Sequence, residues 1–162
     1  MAVDIFLKID GIPGEAQDEK HQGEIDVLAW NWGLAQSGTT HMGPGAGSGK
    51  VSVQDITFTK YCDKSTTNIM KYCSNGKHIP KALLTIRKAG GDAPVEYFKL
   101  DMTDLIVSSY ATGGSADGLD RLQETITLNF RKFNVTYTEQ TKQGTPGAST
   151  EATWDIAANV GS

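Results

Sequence analysis

The feature that most constrains this chain is a period-two alternation of apolar side chains, repeated in several short segments. Within Val3–Ile9 the apolar residues occupy the odd positions, Asp4 and Lys8 lie on the opposite face, and Phe6 interrupts the alternation. This period is typical of a half-buried β-strand, because successive side chains point to opposite sides of a sheet. A chain made of such segments must pair them into a sandwich or a barrel to bury their apolar faces.

The same alternation predicts further strands along the chain. In two of these segments the apolar phase slips by one residue, near Gln54–Asp55 and between Phe130 and Phe133, which indicates a β-bulge in each. The stretch Thr138–Ala152 contains no large apolar residue and is predicted to be a loop or linker. The predicted strands are Glu24–Ala35, Val51–Lys60, Ala82–Lys88, Val95–Met102, Leu105–Ser109, Glu124–Tyr137 and Trp154–Val160.

One helix is predicted at about residues 65–75. Ser65 is a suitable N-cap, Ile69 and Cys73 belong to an apolar stripe, and Gly76 is a suitable residue just past the helix end. We therefore expect a mainly all-β protein, an antiparallel β-barrel or two-sheet sandwich with one flanking helix. The length of 162 residues fits a single domain, residues 1–162.

Charge and cysteine content narrow the class of protein. With a net charge of −4, the chain lacks the basic footprint expected of a nucleic-acid binder and the polybasic patch expected of a protein that binds an anionic membrane. No segment approaches the roughly 20 apolar residues of a membrane helix. If a helix separates Cys62 from Cys73, their Cα atoms lie roughly 10–16 Å apart, whereas a disulfide needs about 4.4–6.8 Å. We predict free thiols, and hence folding in a reducing compartment.

The N-terminus does not predict conventional export. It carries charges at Asp4, Lys8 and Asp10 and has no apolar run of about 7–15 residues. We therefore expect no secretory signal peptide.

Searches for an active site give negative results. The Gly-rich run 41–50 resembles a phosphate-binding loop, but the motif needs Gly at position 44, which is Pro44, and Ser or Thr at position 51, which is Val51. The three histidines have no partner at metal-ligand spacing, and no G-x-S-x-G elbow is present. We predict no catalytic, cofactor or metal residue, and no enzyme. A carbohydrate-binding β-sandwich that uses Trp30 and Trp32 stays open as the alternative, as do a small hydrolase and a fimbrial subunit.

Four blocks of sequence, in this order, resemble the haemolysin-coregulated protein (Hcp) family of type VI secretion, and together they cover roughly residues 3 to 135. The blocks are Lys8, Gly11-Ile12, Gly14-Glu15, Asp18, His21, Glu24–Val27 and Trp30–Gly33; Val53–Lys60 with Asp63–Thr66; Gly76–His78 with Leu84–Gly91; and Ser108-Ser109 with Glu124–Phe130.

The resemblance implies a β-barrel that assembles into a homo-hexameric ring. Rings would stack into a tube inside a contractile sheath and be expelled with the spike protein VgrG, and small effector proteins would travel in the lumen. It further implies assembly in the cytoplasm, secretion through the type VI machine, no cofactor, no nucleic acid and no membrane insertion.

The loop Ser37–Lys50 is the first candidate for a contact between subunits. Ordering the seven residues Gly43–Gly49 costs roughly 1–2 kcal/mol each in backbone entropy, and the loop has almost no apolar side chain to offset this within one subunit. We hypothesise that it becomes ordered only against a neighbour. The full set of interface candidates is Ser37, His41, Gly43, Gly45, Gly47, Gly49, Lys50 and Gly90.

Overall fold

The computed structural model describes residues 3–36, 50–88, 94–118 and 121–161, which form eleven strands and one helix. The elements are β1 (Val3–Ile9), β2 (Ile25–Asp26), β3 (Ala29–Asn31), β4 (Leu34–Ala35), β5 (Ser52–Val53), β6 (Ile56–Tyr61), α1 (Ser65–Asn75), β7 (Ile79–Lys88), β8 (Glu96–Gly113), β9 (Gln123–Gln140), β10 (Pro146–Asp155) and β11 (Val160–Gly161).

The strands close into an antiparallel barrel. Strand β1 pairs with β7, β7 with β8, β8 with β9, β9 with β6, and β6 with β3. The barrel closes because the segment that contains β2 and β3 pairs with two different strands. Strand β2 pairs with β1, and strand β3, which begins three residues after β2 ends, pairs with β6. Between them the Val27 N–H donates to the Ile5 carbonyl at 3.0 Å, and the Leu28 N–H donates to the Thr59 carbonyl at 2.8 Å. The predicted fold class is confirmed.

The inward face of the barrel carries the core, and the alternation read from the sequence identifies most of it. In β1 the inward residues are Leu7 and Ile9, as predicted. Helix α1 contributes Ile69, which is fully buried in the same cluster. The core also contains Ile25, Ile56, Phe58, Leu84, Leu100, Met102, Leu105, Ile126, Leu128, Phe130 and Phe133.

The helix occupies the predicted residues, and only its first cap differs. Gly76 has φ +65° and its N–H donates to the Tyr72 carbonyl at 3.0 Å, which confirms the predicted C-terminal glycine. The prediction of Ser65 as N-cap is wrong, because Ser65 is already the first helical residue. Its N–H donates to Asp63 Oδ1 at 2.8 Å, so that carboxylate satisfies the first turn from outside the helix.

The predicted bulge at Gln54–Asp55 is confirmed, although it divides the strand. Asn31 lies opposite Thr57, whereas Leu34 lies opposite Val53. From Asn31 to Leu34 the chain advances three residues, whereas from Val53 to Thr57 it advances four. The second segment therefore contains the one extra residue of a bulge. The predicted strands Glu24–Ala35 and Val51–Lys60 are consequently each split into shorter strands.

The predicted bulge between Phe130 and Phe133 is wrong. Pairing with β8 keeps one register from Thr103–Lys132 to Leu105–Phe130, and the shift lies instead in β8, between Val107 and Ser109. The predicted strands Val95–Met102 and Leu105–Ser109 are one strand, β8, which passes through Asp104 at φ 57°.

The prediction of a loop at Thr138–Ala152 is also wrong. Strand β9 continues to Gln140, and β10 returns antiparallel beside it. Most of β10 is exposed, so the hairpin needs no large apolar residue. Cross-strand hydroxyl pairs support it instead, as between Thr138 Oγ1 and Ser149 Oγ at 2.9 Å. The predicted last strand, Trp154–Val160, is also divided. Strand β10 ends at Asp155 and strand β11 begins at Val160.

A buried ion pair stabilises one end of the barrel, beside the start of α1. Lys60 of β6 and Glu124 of β9 lie opposite each other, both side chains are fully buried, and Lys60 Nζ is 2.9 Å from Glu124 Oε2. Lys60 Nζ is also 2.9 Å from Asp63 Oδ1. Its three hydrogens have four acceptors within reach: the Tyr61 carbonyl, Asp63 Oδ1, Thr66 Oγ1 and Glu124 Oε2. Thr66 donates to Glu124 Oε1 at 2.7 Å, and Tyr110 donates to it at 3.2 Å.

The network keeps Glu124 ionised. Burial by itself raises the pKa of Glu124, but hydrogen bonds from Cys62, Thr66 and Lys60 outweigh burial, and the pKa lies below its ordinary range. Burial, aided by the Glu124 charge, raises the pKa of Tyr110 to about 12, so this phenol stays a donor. Because the Glu124 pKa is depressed, its contribution to stability is present at neutral pH and is lost as the pH falls through the folded-state pKa.

Lys60→Met should lower the free energy of unfolding by about 3–5 kcal/mol, because it leaves the Glu124 charge buried without its partner. The matched double variant, Lys60→Met with Glu124→Leu, should lose less, since an apolar pair of similar volume is close to neutral. Urea unfolding followed by tryptophan fluorescence at pH 7 measures both variants. A single variant as stable as the double variant would contradict this account, because it would show that burying Glu124 without Lys60 has no cost.

Candidate functional site

Four adjacent strands present an outward surface without a charged side chain in its central rows. Because Ile56, Phe58 and Lys60 point into the barrel, the alternate residues of β6 point outward. Their cross-strand neighbours in β3, β9 and the second half of β8 do the same. We call this surface the neutral face; its residues are Ala29, Asn31, Thr57, Thr59, Tyr61, Ser109, Ala111, Gly113, Gln123, Thr125 and Thr127.

The neutral face is arranged in rows across the strands. One row runs Asn31, Thr57, Thr127 and Ser109, and within it the hydroxyl oxygens of Thr57 and Thr127 are 3.3 Å apart. The next row runs Ala29, Thr59, Thr125 and Ala111. Both rows consist of small side chains that bear hydroxyl, amide or methyl groups, so the surface is even and polar but uncharged.

One charged group lies at each end of the neutral face. At one end Asp55 accepts hydrogen bonds from Ser108 Oγ at 3.1 Å and from Asn129 Nδ2 at 2.8 Å. At the other end the Arg121 guanidinium lies over the Tyr61 ring, 4.1 Å from its centroid. Both charges are engaged by neighbours, so neither extends over the rows between them.

The outward surfaces of the other strands are different. They carry charges at regular intervals, as an antiparallel sheet facing water usually does. These charged residues are Asp4 and Lys8 of β1, Lys81 and Arg87 of β7, and Lys99 and Asp101 of β8. The contrast within one barrel indicates that the neutral face serves a different purpose.

A second surface includes residues that come just before and just after the segment 37–49 in the sequence. Leu34, Val51, Val53 and Trp154 are among the walls of an open, mainly apolar groove of about 330 Å³. Leu34 is 52% exposed. Exposed apolar surface of this kind is typical of protein contacts.

Only one of the interface residues predicted from sequence lies in the described part of the chain. Lys50 is exposed and lines a small polar pocket with Gln54, Asp55 and Arg131, next to the apolar groove. The predicted residues Ser37, His41, Gly43, Gly45, Gly47, Gly49 and Gly90 lie outside the described residues, as does most of the Gly-rich run.

The residues considered for other functions have structural roles. The Trp30 ring packs against Phe98, with centroids 5.5 Å apart. Trp32 packs against Phe130 and Phe133 and donates from Nε1 to the Gln54 carbonyl at 2.9 Å. These contacts place both tryptophans against the core rather than on a sugar-binding platform.

The Cys62 thiol is poorly suited to nucleophilic catalysis. Cys62 and Cys73 are free, as predicted. Burial, with the Glu124 charge, raises the pKa of Cys62, which disfavours a nucleophilic thiolate. Among residues 3–36, 50–88, 94–118 and 121–161, no group of three or more His, Cys, Asp or Glu is placed to hold a metal ion. Within those residues, no helix is long and apolar enough to span a membrane.

The neutral face was not predicted from the sequence, although its signal is present there. Thr alternates with apolar residues in Ile56–Tyr61 and again in Glu124–Leu128. Each pattern alone predicts only an exposed strand face. The register that places the two threonine runs side by side, and adds Ser109 and Ala111, comes from long-range pairing.

Comparison with known proteins identifies the family. The family model described as type VI secretion system effector, Hcp, matches residues 6–137. Protein hcp1 of Pseudomonas aeruginosa is 54% identical over 161 residues, which is 99% of each chain. The crystal structure of Hcp1 from Salmonella typhimurium superposes with a TM-score of 0.83 at 44% identity, over 100% of both chains.

A solved structure described as a type six secretion system protein is also close. It superposes with a TM-score of 0.93 at 29% identity, over 99% of this chain and 100% of its own. The sequence resemblance and the barrel are therefore both confirmed, and this chain belongs to the Hcp family, the secreted tube components of the type VI secretion system.

Proposed function

We propose that six copies of this protein close into a ring, that rings stack into the inner tube, and that the neutral face lines the pore. The membership in the Hcp family supports the tube. The single observation that supports the orientation is the neutral face, the one broad outward strand surface of the described barrel without charges in its rows. The protein acts as a structural component and a carrier, not as an enzyme.

An uncharged, hydroxyl-rich wall suits a pore through which other proteins pass. Unit charges around a narrow pore reinforce one another and either repel or retain a charged passenger. Threonine, serine and asparagine side chains exchange hydrogen bonds with water and with a passenger at little net cost. Small effector proteins can therefore occupy the lumen without being selected strongly by charge.

Ring closure needs two different surfaces on each subunit, because a head-to-tail interface is heterologous. The apolar groove beside Lys50 supports one of them. The candidates Ser37, His41, Gly43, Gly45, Gly47, Gly49 and Gly90 complete the proposed contacts, within a ring or between stacked rings.

The remaining partners follow from the family. The proposed tube would lie inside the contractile sheath and carry the spike protein VgrG at its tip. Subunits would assemble in the cytoplasm and leave through the type VI machine without a signal peptide.

Charges placed on the neutral face should alter cargo transport without affecting the fold. Thr125→Lys and Thr125→Glu should change the free energy of unfolding by about 0.5 kcal/mol or less, as exposed substitutions do. With six copies facing the pore, the variant whose charge matches that of the passenger should reduce its export about tenfold, equivalent to ~1.4 kcal/mol. The assay is the amount of a charged effector in the culture medium, relative to Hcp itself.

The matched control is Thr136→Lys, which makes the same change in the same strand, β9, outside the neutral face. It should leave effector export unchanged. Equal effects of Thr125→Lys and Thr136→Lys would contradict the pore assignment, while leaving the family membership untouched.

Deleting Gly43–Gly49 tests the proposed contact loop. We expect the barrel to fold, as judged by circular dichroism, and hexamers or stacked tubes to be lost in gel filtration and negative-stain images. Rings and tubes that form as in the intact chain would show that the loop makes no essential contact.

A further inference from the structure

The loop between β1 and β2, residues Asp10–Glu24, lies against the charged side of the barrel. His21 anchors it: the residue is only 7% exposed, and its ring stacks on Phe6 of β1 with centroids 4.3 Å apart and planes 9° apart. The loop is also bonded internally, since the Gly23 N–H donates to the Ala16 carbonyl at 2.9 Å and the Ala16 N–H donates to the Glu24 carbonyl at 2.9 Å.

Both ring nitrogens of His21 contact carboxylates. Nδ1 is 2.8 Å from Glu24 Oε2, and Nε2 is 2.6 Å from Glu96 Oε1 on β8. An ionised carboxylate only accepts hydrogen bonds, and a neutral imidazole has only one N–H to donate. The two contacts are therefore satisfied together only by the imidazolium form, which carries a hydrogen on each nitrogen.

The neighbouring side chains keep Glu96 ionised. Burial raises the pKa of Glu96, but hydrogen bonds from His21 and Lys99 outweigh it, so the pKa lies below its ordinary range. Glu96 therefore remains a carboxylate into mildly acidic conditions.

A permanent cation holds the other end of the same loop. Arg87 of β7 donates to both carboxylate oxygens of Asp18, at 3.0 Å for Nη1 to Oδ1, and to Asp4 at 3.2 Å. Its guanidinium lies 5.0 Å from the Phe6 ring centroid, so Phe6 contacts both the Arg87 guanidinium and the His21 ring. Arginine stays charged at all accessible pH values, whereas histidine does not.

We propose that His21 is a proton-dependent latch that fastens the Asp10–Glu24 loop to β8. The groups that face it are Glu24 and Asp18 from the loop, Phe6 and Asp4 from β1, Arg87 from β7, and Glu96 and Lys99 from β8. When the pH rises enough for His21 to lose one proton to solvent, one carboxylate faces a nitrogen lone pair instead of a donor. The Glu24–His21–Glu96 bridge then opens at one nitrogen, while Arg87 still holds Asp18. The loop loosens locally and the barrel stays closed.

Native-state amide hydrogen exchange on the intact protein tests the latch. Protection factors of Ala16 and Gly23, corrected for the intrinsic rate at each pH, should fall about ten- to a hundredfold between about pH 6 and about pH 9, the loss expected for a charge-assisted hydrogen bond. Protection in β6 and β9 should not change. Loop protection that is constant over this range would overturn the proposal.

Two histidine variants separate the latch from general effects of pH. In His21→Gln the loop should show the low protection at every pH, because the side chain cannot become a cation. His78 is the matched control: it is exposed and contacts one carboxylate, that of Asp104, at 2.8 Å. His78→Gln should retain the pH dependence of the intact chain. If the pH dependence of loop protection were lost in His78→Gln, the assignment to His21 would be contradicted.

A measurement without substitution covers the case in which His21→Gln does not fold. Nitrogen-15 spectra of the histidine rings at about pH 7 should show both His21 nitrogens in the protonated state. One unprotonated His21 nitrogen at that pH would overturn the proposal.

Discussion

The closure of the barrel through the segment Ile25–Asn31 is the constraint on which the rest of the structure depends. Two backbone hydrogen bonds, from Val27 to Ile5 and from Leu28 to Thr59, transfer this segment from β1 to β6 within one step along the chain. An open sheet would leave two edges of unpaired N–H and C=O groups. Closure pairs those edges, encloses the apolar faces of the barrel strands, and fixes the register that sets β3, β6, β9 and β8 side by side.

That register determines where charge can lie. The inward rows contain the core and, at one end, the Lys60–Glu124 pair, whose charges compensate each other in a site without solvent. The outward rows divide into the neutral face on one side and a charged surface on the other. The Asp10–Glu24 loop covers part of the charged surface. The proposed tube uses this division, with the neutral face toward the pore and the charged surface toward neighbouring proteins.

The sequence predicted the features that depend on local pattern. Period two located most of the inward residues, Gly76 marked the end of α1, and the phase slip at Gln54–Asp55 marked a true bulge. The failures share a physical cause: partners distant in the chain decide the outcome. Hydroxyl pairs such as Thr138–Ser149 form a hairpin without apolar residues, and the neutral face exists only once Thr57 and Thr127 are neighbours. The bulge expected near Phe130 was misplaced because the register shift lies in the neighbouring strand.

Cryo-electron microscopy of the purified, assembled protein tests the central claim most directly. The account predicts six-fold rings in which Thr57, Thr59, Thr125 and Thr127 line the pore, while Lys99 and Asp101 face away from it. Rings whose pore is lined by the charged strand surfaces, with the neutral face directed outward, would contradict it.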